Sequence, residues 1–459
     1  MDYRLRHQAL HNNQVLVGAL VVLTIFFLGS GIAQENVIFM LLSLGLLPLV
    51  LIYLHPYLGI VFSWAAFFLV PYEALRTSIP LLSSPMMLIA SFSLGLGLIR
   101  LTIRRIQLPK SNLYLPIFLW AGVLVMFWLI GHGPRMSTLV RWYLQGMWGF
   151  PLVLLLVRTP YHAKVVLWAF LALNVLVALR ALPSALASGA LTFDAQVYVP
   201  ELRTEVGTGF HLPQINALAW PLLGSIAVTS GVGTKTRVIS GLGAAVILVV
   251  IVASGFGTPL ITLMGALVWV FVAGSWSKQG SSRLLFLLLG TAAMMVVLNW
   301  SGVEAQLYRI TSGNDTSVSV RIDAMGRGVE SFLASPLAGW GAWYSQDLSF
   351  APPGTQVYGG HNSVLEIGVR FGLLGLVPLL FLFVKIGSNL FRLGRKSLAP
   401  IDHAIVTGIQ GTYVAYVVQG LVSVSIGIIT WDSVFWFLLG LSTLWLSWLD
   451  TGTYDRLVA

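Results

Sequence analysis

Gly360-His361-Asn362-Ser363-Val364-Leu365-Glu366, followed at once by Phe371-Gly372-Leu373-Leu374-Gly375-Leu376, is the stretch on which the reading of this chain turns. A polar junction passes directly into an apolar run, 363–386, long enough to cross a bilayer. Upstream, from Asn299, the chain gathers Arg309, Asp315, Arg321, Asp323, Arg327 and Glu330, then Ser335-Pro336-Leu337-Ala338-Gly339-Trp340-Gly341. A long polar loop between membrane spans is uncommon and is usually functional or disordered. Aromatics, spaced arginines and helical periodicity mark this one as folded.

Composition extends the same reading to the whole chain. Hydrophobic residues make up 57% of the 459 positions and charged residues only 9%, against roughly 25% charged in a soluble domain. Apolar runs of spanning length recur at Val15–Ile32, 37–54, 57–72, 84–101, 113–131, 142–158, 163–182 and 212–230. They continue at 238–254, 258–274, 284–300, 363–386, 404–424 and 427–448. The expected fold is an all-α polytopic membrane protein, a single integral domain over 1–459 with about 12–14 transmembrane helices. No small-residue cleavage site follows the first run, which reads as an uncleaved helix. Cysteine is absent, which removes disulfide and thiolate chemistry.

The net charge of +10 would suggest nucleic acid in a soluble protein. Here topology accounts for it, because cytoplasmic loops of membrane proteins collect Lys and Arg. With both termini inside, 17 of the 26 basic residues, including every lysine, fall on the cytoplasmic ends. The exceptions are Arg76, Arg135, Arg141, Arg180, Arg203, Arg309, Arg321, Arg327 and Arg370. This orientation puts a smaller loop, 183–211, and a large helical loop, 300–362, on the outer face, and the large loop carries the candidate site.

All the outer basic residues are arginine, the side chain suited to holding phosphate or carboxylate bidentately. On a helix through 319–334, Arg327 has Asp323 four residues before it and Glu330 three after, and those partners are expected to neutralise it. Arg321 has no such carboxylate and lies about 120° round the axis, so it is the better ligand charge. The apolar stripe of that helix is Ile322, Met325 or Gly326, Val329 and Leu333. Arg309 also lacks a helical partner. Arg203, between Glu201 and Glu205, is either a ligand residue or part of an internal ion pair. Arg180, Arg370, Arg135 and Arg141 sit where they can snorkel to the interface. His361 stands at a loop-to-helix junction, where hydrogen bonding at the interface competes with a catalytic role. Ser363-x-x-Glu366 has the spacing of a capping box, and the helix start it opens favours a bound phosphate. There is no Gly-rich phosphate loop and no metal-ligand spacing.

In this order these residues resemble the O-antigen ligase and O-antigen polymerase superfamily. The matching features are Ser-Val-Arg321-Ile, Pro336-Leu-Ala-Gly339-Trp-Gly341, His361-Asn362-x-x-Leu365-Glu366 and Gly372-Leu-Leu-Gly375. An earlier stretch also matches, Gly207-Thr-Gly-Phe-His211-x-Pro213-x-x-Asn216-x-Leu-Ala219. Met325 and Arg370 depart from the usual pattern. The resemblance implies a GT-C-like glycosyltransferase of the bacterial inner membrane with a periplasmic active site and no cofactor or metal. His361 and Arg321 would be catalytic, and Arg203, Arg309, His211, Asn362 and Arg370 would bind substrate. Its donor would be a glycan on undecaprenyl pyrophosphate. Its acceptor would be lipid A-core or a second lipid-linked glycan, with a chain-length regulator as partner if the enzyme is a polymerase. A count of fourteen spans leans toward a polymerase. The competing class is a transporter or flippase of lipid-linked glycans, but such proteins place ionisable residues at mid-membrane, whereas these spans are nearly free of charge at their centres.

Overall fold

The computed structural model describes residues 48–69, 85–104, 108–130, 140, 143–187, 212–253, 257–274, 316–340, 362–396, 398–423, 426 and 429–454. The runs at Val15–Ile32 and 284–300, and most of 37–54, lie outside the described residues. Among the described residues every regular element is a helix. They are α1 (Leu58–Leu69), α2 (Pro85–Arg104), α3 (Tyr114–Ile130), α4 (Gly149–Leu156), α5 (Pro160–Ala187), α6 (Leu212–Val228), α7 (Thr234–Ala253), α8 (Gly257–Gly274), α9 (Thr316–Ala334), α10 (Ser363–Gly394), α11 (Pro400–Val422) and α12 (Ile429–Asp450). Six of them are long and apolar enough to cross a membrane, and five shorter apolar helices accompany them. The chain is therefore an all-α polytopic membrane protein.

Proline opens several of these helices (Pro85, Pro160 and Pro400), where its missing N–H is no loss. Glycine then lets the helices approach. α6 and α11 cross where Gly408 meets Leu222 and Ser225, and Gly411 meets Pro221. Ser225 Oγ donates to Ala404 O at 2.7 Å, and Thr412 Oγ1 to Leu218 O at 2.7 Å. Small residues and interhelical hydrogen bonds of this kind hold helices together where no water drives them together. α4 and α12 close in the same way, with Gly149 against the backbone of Phe437 and Gly440 against Val153. A buried aromatic cluster centred on Trp64, with Phe67, Phe68, Trp148, Phe170 and Phe437, joins α1, α5 and α12.

Two expected boundaries shift. α5 continues to Ala187, so 183–187 is helix rather than the start of the smaller loop. The span expected over 363–386 is longer, 363–394, and is broken inside at Gly372.

The two ends of the bundle differ in charge. At one end Lys164 Nζ pairs with Asp402 at 2.9 Å, while Arg392 and Lys396 meet Asp450 at 2.9 and 3.0 Å. Tyr454 donates a hydrogen bond to the buried Asp402 as well. These contacts gather the starts of α5 and α11 with the last turns of α10 and α12 at one basic end. The start of α10 therefore lies at the opposite end, with α9 beside it.

Candidate functional site

The site is organised by the break in α10. Gly372 has φ 60° and ψ −158°, a conformation essentially restricted to glycine. In an unbroken helix Val369 O would accept from Leu373 N–H. Here it accepts from Trp340 N–H at 2.8 Å, and Leu373 N–H donates instead to Pro336 O at 2.7 Å. Leu374 N–H adds a bond to Leu337 O at 3.1 Å. The turn following α9 thus takes up the backbone groups that the break releases. Contact is too close for side chains. A β-carbon at position 339, where φ is +66°, would sit 2.5 Å from the Arg370 carbonyl carbon, and one at 372 would sit 2.7 Å from Ala338 N. Ser335 Oγ closes the turn on Gly339 O at 2.9 Å. Pro336–Trp340 and the Gly-Leu-Leu-Gly word are therefore two halves of one clasp, which fastens α9 to α10.

The clasp aligns one row of α9 with the first segment of α10. Gly328 lies against Leu365, and Phe332 against Gly368. At 100° per residue, position 321 belongs to this row (321, 324, 328, 332), whereas 327 is about 120° away. Arg321 has its backbone on α9, but its side chain lies outside the described residues. Among the described residues no carboxylate comes within 4 Å of Arg327, so the expected pairs with Asp323 and Glu330 do not form. All three side chains are at least partly exposed, and in water such pairs gain only about 0.3–0.5 kcal/mol.

The start of α10 is capped, though not by the expected box. Asn362 is the N-cap, with its side-chain oxygen accepting from Leu365 N–H at 3.0 Å. Its Nδ2 donates to Leu421 O at 3.0 Å. Ser363 is already helical, and its hydroxyl donates to Ser423 O at 3.0 Å while accepting from Ile426 N–H at 3.2 Å. The α11–α12 connection is thereby pinned to the helix start. Glu366 turns inward: it is 3% exposed, one carboxylate oxygen pairs with Arg370, and Oε2 has no hydrogen-bond partner among the described residues. Arg370 is thus the partner of a buried acid and does not snorkel.

A polar cluster surrounds that pair. Tyr143, ahead of α4, lies within electrostatic range of Arg370, Glu366 and Asp432. Asp432, 2% exposed in the first turn of α12, accepts a hydrogen bond from Tyr416 of α11. Trp148 Nε1 donates to the neighbouring Ser433 Oγ at 2.7 Å. Phe371 seals the cluster edge-on against Trp120, Phe127 and Tyr143. Tyr143, Tyr416 and Asp432 escape sequence reasoning because they come from three separate spans with no shared motif. The usable signal was a carboxylate inside an apolar run. Asn216 of α6 and Gln419 of α11 are also fully buried with no hydrogen-bond partner among the described residues at either amide atom, where water or a ligand hydroxyl would bond.

Beside the cluster, between α2, α3 and α4, lies an apolar cavity of about 800 Å³. Leu94, Leu98, Phe118, Val140, Leu144 and Leu155 are among its walls, and Trp148 forms the wall shared with the cluster. Of the sequence-derived candidates, the structure brings Asn362 and Arg370 to one helix start. His361, Arg203, Arg309 and His211 lie outside the described residues, as do Arg135 and Arg141.

An all-helical membrane protein with a broken, capped helix start beside a polar cluster is the class defined by this geometry. Residues 242–380 match the family model described as O-antigen ligase, so this stretch of the chain is similar to that family. The match covers α7 to the middle of α10, including the clasp, Arg321, His361 and Asn362. It leaves out the His211–Asn216 stretch and the α11 and α12 residues of the cluster. Members of the family are glycan-transferring enzymes. No curated protein matches the chain.

Proposed function

We propose that the protein is a GT-C-like glycosyltransferase moving a glycan from undecaprenyl pyrophosphate to a sugar hydroxyl, as an O-antigen ligase or polysaccharide polymerase. The observation that carries this reading is the clasp, which holds the Arg321 row of α9 against the helix start that follows His361, inside the family-matched segment. The apolar cavity next to the cluster supports a lipid-linked donor, since it suits a hydrocarbon chain whose headgroup emerges at the capped end.

In the proposed reaction an acceptor hydroxyl attacks the anomeric carbon of the donor. The new glycosidic C–O bond forms as the bond to the pyrophosphate oxygen breaks, and undecaprenyl pyrophosphate leaves. His361 takes the hydroxyl proton. Arg321 neutralises charge developing on the leaving group, helped by the dipole of the helix start capped by Asn362. Arg203, Arg309, His211 and Arg370 complete substrate binding, Arg370 through its pair with Glu366. Arginine supplies the positive charge that a metal would otherwise provide, so transfer is expected to survive EDTA. Inversion at the anomeric carbon follows the family pattern.

The test is incubation of purified protein with a lipid-linked oligosaccharide, with and without lipid A-core and with EDTA present. A ladder of products identifies a polymerase, and a single transfer to core identifies a ligase. No transfer to either acceptor overturns the reading.

Orientation in the inner membrane gives a second expected result. With the basic end cytoplasmic, single cysteines in this cysteine-free chain should label from outside at 188–211 and 300–362. Those at 105–112 and 395–402 should label only from inside. Labelling of Asp315→Cys solely from the cytoplasm reverses the topology and removes the site from the periplasm.

A further inference from the structure

The apolar face of α9 is not the face that packs on the protein. Ala324 is buried and Gly328 lies against Leu365 of α10, while Ile322, Met325, Val329 and Leu333 are exposed, Leu333 by 66%. The stripe runs on into the turn through Leu337, 68% exposed, and Trp340. Through the clasp Leu337 is bonded to Leu374. From there the exposed apolar surface continues down Leu373, Val377, Leu380 and Val384 of α10, a helix fit to cross a membrane. In a bilayer that row of α10 would face hydrocarbon, and the exposed α9 stripe lies next to it across the clasp.

We propose that α9 lies in the boundary between headgroups and acyl chains, with the Ile322–Leu333 stripe seated in the lipid surface. Its charges fit this placement, because Asp323, Glu330 and Arg327 stand about 95–155° round the axis from the centre of the stripe. Trp340 fits as well. Its indole N–H is already bonded to Ser331 O at 2.7 Å, so the ring enters an apolar layer without leaving a donor unmet. Helices of this kind sink about 5–10 Å into the boundary, which would set the Arg321 row at the level of lipid phosphates. The proposal rests on the membrane-spanning fold and not on the transfer chemistry.

The test is spin labelling of the full chain in lipid nanodiscs, using Val329→Cys and Leu333→Cys on the stripe and Asp323→Cys and Glu330→Cys on the polar flank. Collision with oxygen, which partitions into lipid, is compared with collision with a water-soluble nickel complex. The logarithm of the oxygen-to-nickel ratio is expected to be positive on the stripe and to change sign on the flank. Nickel access at 329 and 333 overturns the proposal by showing the stripe in water. Low access to both reagents overturns it too, by showing the stripe covered by protein, whether another segment of this chain or a second copy. Melting temperatures close to that of the parent chain confirm that the four exposed substitutions leave the fold intact.

Discussion

Arg321→Ala is expected to lower turnover by about 10²–10³-fold, the loss found when one preorganised donor to a developing negative charge is removed. Arg321→Lys should recover only part of the rate, because the ammonium keeps the charge but not the bidentate fork. Melting temperature should stay near that of the parent chain in both. Arg327→Ala is the informative comparison. It also lacks a nearby carboxylate among the described residues, so charge alone does not separate the two. Position on the helix does: 321 shares the row that meets α10 through Gly328 and Phe332, and 327 does not. Arg327→Ala should therefore keep most of its turnover, whereas His361→Ala should abolish transfer. Normal turnover in Arg321→Ala together with an inactive Arg327→Ala would exchange the two roles.

Gly372→Ala is expected to be the most damaging single methyl in the chain. The backbone at 372 costs a non-glycine residue about 1–3 kcal/mol. The new carbon would also meet Ala338 N at 2.7 Å and collide with the Leu337 carbonyl, adding about 1–3 kcal/mol of overpacking. Relief requires the turn to separate from α10, which would release the three clasp hydrogen bonds and the alignment of Arg321 with the helix start. Both melting temperature and turnover should fall. Gly326→Ala, in the same region with nothing within 4 Å of its new carbon, should stabilise by about 0.4–1 kcal/mol. Equal melting curves for the two variants would show that the clasp does not hold α9 in place.

The fold class and most helix boundaries were legible because both rest on local quantities. The apolar runs at 113–131, 258–274 and 427–448 return as helices 114–130, 257–274 and 429–450. The break at Gly372 was not legible, since it depends on a partner turn some thirty residues upstream. Pro336–Gly341 and Gly372–Gly375 could be noticed as words, but their complementary hydrogen bonds are a property of three dimensions. The same limit applies to Glu366. Its spacing from Ser363 suggested a cap, whereas Asn362 takes that role and frees the carboxylate for Arg370. The pairing of Arg327 failed for another reason, because helical spacing gives opportunity for contact and solvent removes most of the incentive.

The clasp between α9 and α10 is fastened by main-chain hydrogen bonds and two glycines, with the Ser335 hydroxyl closing its turn, and this bears on how readily the protein can be altered. Ser335 apart, a joint of this kind is indifferent to the identity of its other side chains, since Pro336, Leu337, Trp340, Val369, Leu373 and Leu374 contribute only peptide groups to its bonds. Side chains around the mouth of the site can then be exchanged for others of different size and polarity while the joint keeps its geometry. A library that fixes Ser335, Gly339 and Gly372 and randomises their neighbours would be a rational starting point for testing whether the proposed glycan transfer can be redirected.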